Sequence, residues 1–193
     1  KRYRDYNVMG IVNEIHPSWG PQGIMHYFLL RVQWNPDIDL KQEIREYCDN
    51  MYGPGGEAMY NYFMTMEEKS LAGPAYFFSG RFIDRLFVQE GVLEALTPHI
   101  MEARRLIGDQ QPYAQRLAGD LAGYEVIRAR RLVEDLKKEK KKEEAIAAWA
   151  DLRAYLLSPE HNEHFYVSKA MFGFTWKVMS QQAAMPFVPF PKD

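Results

Sequence analysis

Hydrophobic residues recur at helical spacing along most of the chain. In segments 40–51 and 93–107, apolar side chains return every three or four residues and would therefore share one face of a helix. Segments 112–136 and 145–157 show the same spacing, and a run of lysine and glutamate at 137–144 separates them. Because charged side chains favour water, this run predicts the exposed tip of an antiparallel hairpin of two long helices.

Capping residues and prolines mark further helices. Segments 22–33 and 59–66 also carry apolar residues at helical spacing. Asp39 can cap the helix that follows it by accepting hydrogen bonds from free backbone N–H groups, and Ser158 before Pro159 is typical of another helix start. The whole pattern predicts an all-α fold of about seven or eight helices with antiparallel hairpins.

The segment Tyr6–Val12 has a different pattern. It is short and apolar, it ends in β-branched residues, and a turn rich in proline and glycine follows it. These features are typical of a buried strand, so we predict one short β-strand before the helices. Because the chain starts at Lys1 and enters this segment at once, we expect it to be a piece of a longer polypeptide.

The composition is that of a globular protein and narrows the classes of partner. Apolar residues make up 47% of the chain and charged residues 26%, which argues against disorder. The formal net charge of −2 favours neither nucleic acid nor an anionic membrane, and no apolar run approaches the roughly 20 residues that cross a bilayer. The aromatic share of 14% suits either a large core or a carbohydrate-handling surface. Cys48 lies on an apolar helical face, so we interpret it as a buried structural thiol.

A carboxylate directly after the predicted strand is a candidate for substrate contact. Residues at the carboxyl end of a barrel strand point into the active-site mouth, and Glu14 would hold that position; the alternative is an ordinary strand-end carboxylate. Glycoside hydrolysis usually needs two carboxylates on either side of the bond. The nearest other acids, Asp37 and Asp39, flank a helix break and resemble caps. We therefore expect no complete active site here and no catalysis by this chain alone.

Two further residues of the same turn could contact a sugar. His16 offers an imidazole, and the ring of Trp19 offers a flat apolar face on which sugar C–H groups stack while its N–H remains free to donate. The alternative is that Trp19 fills the seam between the strand and the first helix. The substrate-binding residues predicted from the sequence are Glu14, His16 and Trp19.

A polar cluster near the end of the chain could suggest a metal site. His161 and His164 stand beside Glu160 and Glu163. Zinc on a helix usually requires two histidines four residues apart plus a third ligand, whereas these two are three apart in a polar first turn. We predict neither a metal nor another cofactor.

Several short motifs in a fixed order resemble a known bacterial family of unknown function. They are the strand ending Gly10-Ile11-Val12-Asn13-Glu14 and the motifs Trp19-Gly20-Pro21, Trp34-Asn35-Pro36-Asp37 and Tyr52-Gly53-Pro54. Members of that family carry a glycoside-hydrolase-like barrel, similar to α-glucuronidases and β-hexosaminidases, followed by a helical domain. The motif-bearing resemblance covers about residues 6–66.

The resemblance implies a division of the chain and a location for its parent protein. Residues 1–20 would be the last strand and turn of an otherwise absent barrel, 21–184 a helical domain, and 185–193 an extended proline-rich tail. The domain would be non-catalytic, would buttress the intramolecular barrel and would shape the sugar cleft, so that carbohydrate binds through a periplasmic or extracellular parent. The alternative is a helical interaction module that binds a protein or polysaccharide partner, with no enzyme attached.

Overall fold

The computed structural model describes residues 5–12, 19–72 and 89–159. Within these ranges the protein is built from helices, which confirms the predicted all-α character; the seven or eight helices predicted for the whole chain compare with six α-helices in this part of it. They are α1 (Trp19–Trp34), α2 (Leu40–Tyr52), a 3-10 turn (Gly53–Gly55), α3 (Gly56–Ala72), α4 (Val92–Ile107), α5 (Tyr113–Lys138) and α6 (Lys142–Leu156).

The segment predicted as a strand does not form one. Asn7 has a φ of 54°, which is outside the extended region, and the side chains of Met9 and Val12 are fully exposed. A strand needs a neighbour to pair its backbone N–H and C=O groups, and no described residue is paired with residues 8–12. The prediction of a buried strand over Tyr6–Val12 is therefore wrong for the described structure. Apolar composition favours a strand only where a second strand is available to pair with it.

The ends of α2 are fixed by a cap and by a glycine. Asp39 accepts hydrogen bonds from the backbone N–H groups two and three residues later, at 3.1 and 3.2 Å, which confirms it as the helix cap. At the other end, Gly53 has a φ of 50° and donates its N–H to the carbonyl of Asp49. A Cβ on Gly53 would lie 2.6 Å from the ring of Tyr113, so glycine allows the end of α2 to approach the start of α5.

Two groups of buried residues form the core. The first lies between α2, α3, α4 and the first half of α5; its fully buried members include Cys48, Tyr52, Met59, Leu96, Ile100 and Ile107. The second lies between α5 and α6 and comprises Ala129, Val133, Ala145, Trp149, Leu152 and Leu156.

The second core confirms the predicted hairpin. Helices α5 and α6 pack against each other, and the turn between them falls inside the charged run at 137–144. In segment 112–136 the helical spacing of apolar residues predicts that Leu132 lies on the buried face, but Leu132 is 42% exposed and Val133 is buried in its place. An α-helix has about 3.6 residues per turn, whereas alternating steps of three and four residues average 3.5. Over the 26 residues of this helix the difference accumulates, so the buried position is one residue later than the spacing predicts.

Candidate functional site

The residues predicted to contact substrate lie mostly outside the described structure. Glu14 and His16 fall outside it, as do His161 and His164 and the tail at 185–193. Trp19 is the first residue of α1, but its side chain is not among those described. In the ranges the structure covers, no group of three or more His, Cys, Asp and Glu residues could hold a metal ion, and no helix is long and apolar enough to span a membrane.

The most exposed apolar surface of the described helices is on α1. Tyr27, Leu30 and Trp34 are 41%, 55% and 89% exposed. Their spacing of i, i+3 and i+7 places them on one side of the helix, and we call this surface the Trp34 face. Together with Arg31 and Gln33, these residues line an open cavity of about 520 Å³. Contiguous exposed apolar residues of this kind mark interaction surfaces in globular proteins.

Contacts with α2 hold the Trp34 face in position. The ring centroid of Tyr47 on α2 lies 5.1 Å from that of Tyr27 and 5.7 Å from that of Phe28, the latter in an edge-to-face arrangement. Arg31 donates to both carboxylate oxygens of Glu43, with distances of 2.6 and 2.7 Å from Nη2 and 3.2 Å from Nε. This fork ties α1 to α2 and neutralises the charge beside the apolar residues.

A second unusual feature is a buried carboxyl group on α5. Asp120 is 7% exposed, and its Oδ2 accepts a hydrogen bond of 2.8 Å from the hydroxyl of Tyr52. Burial raises the pKa of Asp120 to about 7, and the hydrogen bond from Tyr52 opposes that rise. The carboxyl group therefore changes charge close to neutral pH.

Other hydroxyl and thiol groups surround Asp120. Burial, reinforced by the charge of Asp120, raises the pKa of the Tyr52 and Tyr62 hydroxyls, and it raises the pKa of the Cys48 thiol to about 12. The thiol is consequently protonated at physiological pH and is not a nucleophile. Tyr52, Tyr62 and Cys48 are 1%, 3% and 0% exposed, so no substrate can reach the cluster in this conformation.

The sequence contained a signal for Asp120 that pattern reading missed. Leu117, Asp120 and Tyr124 follow one another at i, i+3 and i+7 in α5. The apolar residues of segment 112–136 were predicted to share one helical face, and the carboxylate between Leu117 and Tyr124 lies on that face and is buried with them. For Trp34 the signal was weaker, because a tryptophan at the end of a helix is equally typical of a core residue and of a surface residue.

No protein-family model, curated protein or solved structure matches this chain. The resemblance to the helical domain of a glycoside-hydrolase-like family therefore stays a prediction from short motifs.

Proposed function

We propose that this chain is a non-catalytic helical domain that docks against a neighbouring folded domain through the Trp34 face. The occupant we propose is the glycoside-hydrolase-like barrel of the same polypeptide, which the sequence resemblance implies. The observation that carries the proposal is the exposure of Tyr27, Leu30 and Trp34 on one side of a helix that packs on two other sides, at Ile24 and Phe28 and at His26.

The composition of α1 supports an apolar occupant. Among its 16 residues the formally charged one is Arg31, and Glu43 pairs with it. A helix that is apolar on nearly all sides is normally buried in a larger protein. Complete burial of a side chain the size of Leu30 contributes about 1.5–3 kcal/mol, and tryptophan and tyrosine are the residues that most often dominate interface energies.

A second candidate is a polysaccharide as the direct ligand of the Trp34 face. Tyr27 and Trp34 are exposed aromatic residues beside a cavity, and such rings can stack on sugars. A sugar site also needs polar groups available to its hydroxyls, whereas the guanidinium of Arg31 is committed to Glu43. Gln33 also lines the cavity, and its Nε2 has no hydrogen-bond partner among the described residues, so the preference for the apolar domain over the sugar rests on the composition of α1.

Hydroxyl-radical footprinting tests the proposal. The experiment compares the oxidation rates of Trp34 and Leu30 in this chain alone and in the longer polypeptide, and we expect both rates to fall several-fold in the longer protein. Met25 is the internal control, since it is 57% exposed and lies nine residues from Trp34, on the opposite side of the helix. Equal oxidation of Trp34 in the two proteins would refute docking.

Two further measurements identify other occupants. Sedimentation velocity of this chain alone would reveal a dimer, and a dimer lost in Trp34→Ala but kept in Met25→Ala would assign the face to self-association instead. Quenching of Trp fluorescence by a soluble oligosaccharide, absent in Trp34→Ala, would assign it to the sugar. Because Trp34 is 89% exposed, Trp34→Ala should fold with an unchanged melting temperature.

A further inference from the structure

We propose that Asp120 and Tyr52 form a proton-controlled latch between α5 and α2, which is closed while Asp120 is protonated and loosens when Asp120 ionises. The latch itself is independent of the proposed function; its consequence for the Trp34 face rests on that function.

The latch lies where three residues on one face of α5 contact the last turn of α2; we call these three residues the stripe. Tyr113, Arg116 and Asp120 lie at i, i+3 and i+7 of α5. The ring of Tyr113 contacts the end of α2 at Gly53, and Arg116 Nη1 donates to the backbone carbonyls of residues 50 and 51 at 3.0 and 3.4 Å. Asp120 completes the stripe by accepting from the hydroxyl of Tyr52, the last residue of α2. A change at Asp120 therefore acts on a helix end.

The groups around Asp120 are acids and neutral hydroxyls. Those coupled to its charge are Tyr47, Cys48 and Tyr52 on α2 and Tyr62 on α3. On α5 itself, the Tyr124 hydroxyl lies 2.8 Å from that of Thr97 on α4. Among the described side chains of α1, the buried titratable one is His26. Helix α6 packs on the other half of α5, from Val126 onward.

Ionisation of Asp120 places a negative charge in this group, and among the described residues no ion pair balances it. A buried charge without a partner is costly, and the cost falls if the helices separate enough to admit water. The hydrogen bond from Tyr52 and one from the backbone N–H of Asp120 stabilise the carboxylate, which can accept about four. The closed arrangement is thus favoured by the neutral acid and the open one by the carboxylate.

Movement of α2 would reach the Trp34 face through aromatic contacts. The ring centroid of Tyr47 lies 6.4 Å from that of Tyr52 and 5.1 Å from that of Tyr27, which belongs to the Trp34 face. The Arg31–Glu43 fork joins the same two helices. Loosening of α2 at Asp120 would consequently shift the surface that docks.

Hydrogen exchange of this chain, corrected for intrinsic rates, tests the latch at pH 5.5 and pH 8.5. We expect exchange in the last turn of α2 to rise at least tenfold at pH 8.5, while exchange in α6, packed on the second core, is the reference. Asp120→Asn keeps an acceptor for Tyr52 but cannot ionise, so its α2 exchange should not respond to pH. Equal protection of α2 at both pH values in the unmodified chain, or a pH response retained in Asp120→Asn, would overturn the proposal.

A second variant keeps the test decisive if Asp120→Asn fails to fold. Tyr52→Phe removes the hydrogen bond that stabilises the carboxylate in the closed form, so α2 should open at a lower pH than in the unmodified chain. An unmoved midpoint would assign the transition to another group. Because these measurements use the chain alone, their failure leaves the docking proposal untouched, and footprinting at one fixed pH tests docking without the latch.

Discussion

Replacement of Trp149 by alanine tests the packing of the α5–α6 hairpin. The indole is 2% exposed and is the largest side chain of the second core, where it packs with Val133 of α5 and Leu152 of α6. Truncation of a large aromatic residue in a core costs about 3–5 kcal/mol, since the transfer energy of the ring is lost and a cavity remains. That loss is a large part of the roughly 5–15 kcal/mol that stabilises a typical domain.

Urea denaturation followed by circular dichroism measures this cost. With a slope of about 2 kcal/mol per molar urea, a loss of 4 kcal/mol lowers the midpoint by roughly 2 M. Trp149→Phe is the matched control, because it keeps a ring and leaves a smaller void, and it should lose less than half as much. Leu132→Ala is a second control, on the exposed side of α5. A midpoint for Trp149→Ala equal to that of the unmodified chain would refute the packing.

Three further changes give predictions of different kinds. Gly53→Ala should lower the stability by more than about 1 kcal/mol in the same urea assay, because it combines a positive φ with a Cβ that meets the Tyr113 ring; an unchanged midpoint would contradict the close approach of α2 and α5. Asp39→Ala should cost about 0.5–2 kcal/mol and Asp39→Asn much less, since asparagine also caps; equal losses would show that the side-chain cap is not what matters. The free energy of unfolding should fall between about pH 4 and pH 7, because the folded state holds the Asp120 proton above the ordinary pKa of about 3.9. Urea denaturation at pH 4.5 and pH 8 measures this decline, and Asp120→Asn should remove it. A decline that persists in the variant would exclude Asp120 as its source.

The parts of the fold that the sequence predicted are those set by local periodicity. The faces of α4 and of the two hairpin helices were correct because each buries its apolar stripe in the core, so apolar spacing and burial coincide. The cap at Asp39 was correct because capping depends on backbone groups two and three residues away. Such features need no knowledge of the tertiary structure.

The features that failed or were missed depend on contacts between distant residues. A strand over Tyr6–Val12 requires a partner strand, which apolar composition cannot supply. The hydrogen bond of Asp120 is made with Tyr52, which is 68 residues away along the chain and so cannot be identified from local spacing. The Trp34 face was missed because exposure depends on which sides of α1 its neighbours cover, and two other sides of that helix do pack.

The two features that the structure added are physically related. Tyr27, Leu30 and Trp34 are exposed to water, and their burial by a partner would release favourable free energy. Helix α1 is therefore the element of the described fold that a partner would stabilise most. Asp120 makes the helix pair beneath α1 least stable above neutral pH. A partner that covered the Trp34 face would add contacts to α1 and thereby stabilise the packing of α1 on α2. Ionisation of Asp120 weakens the packing of the same helix α2. Docking should therefore raise the apparent pKa of the α2 opening, since a ligand that binds the closed form shifts the equilibrium towards it.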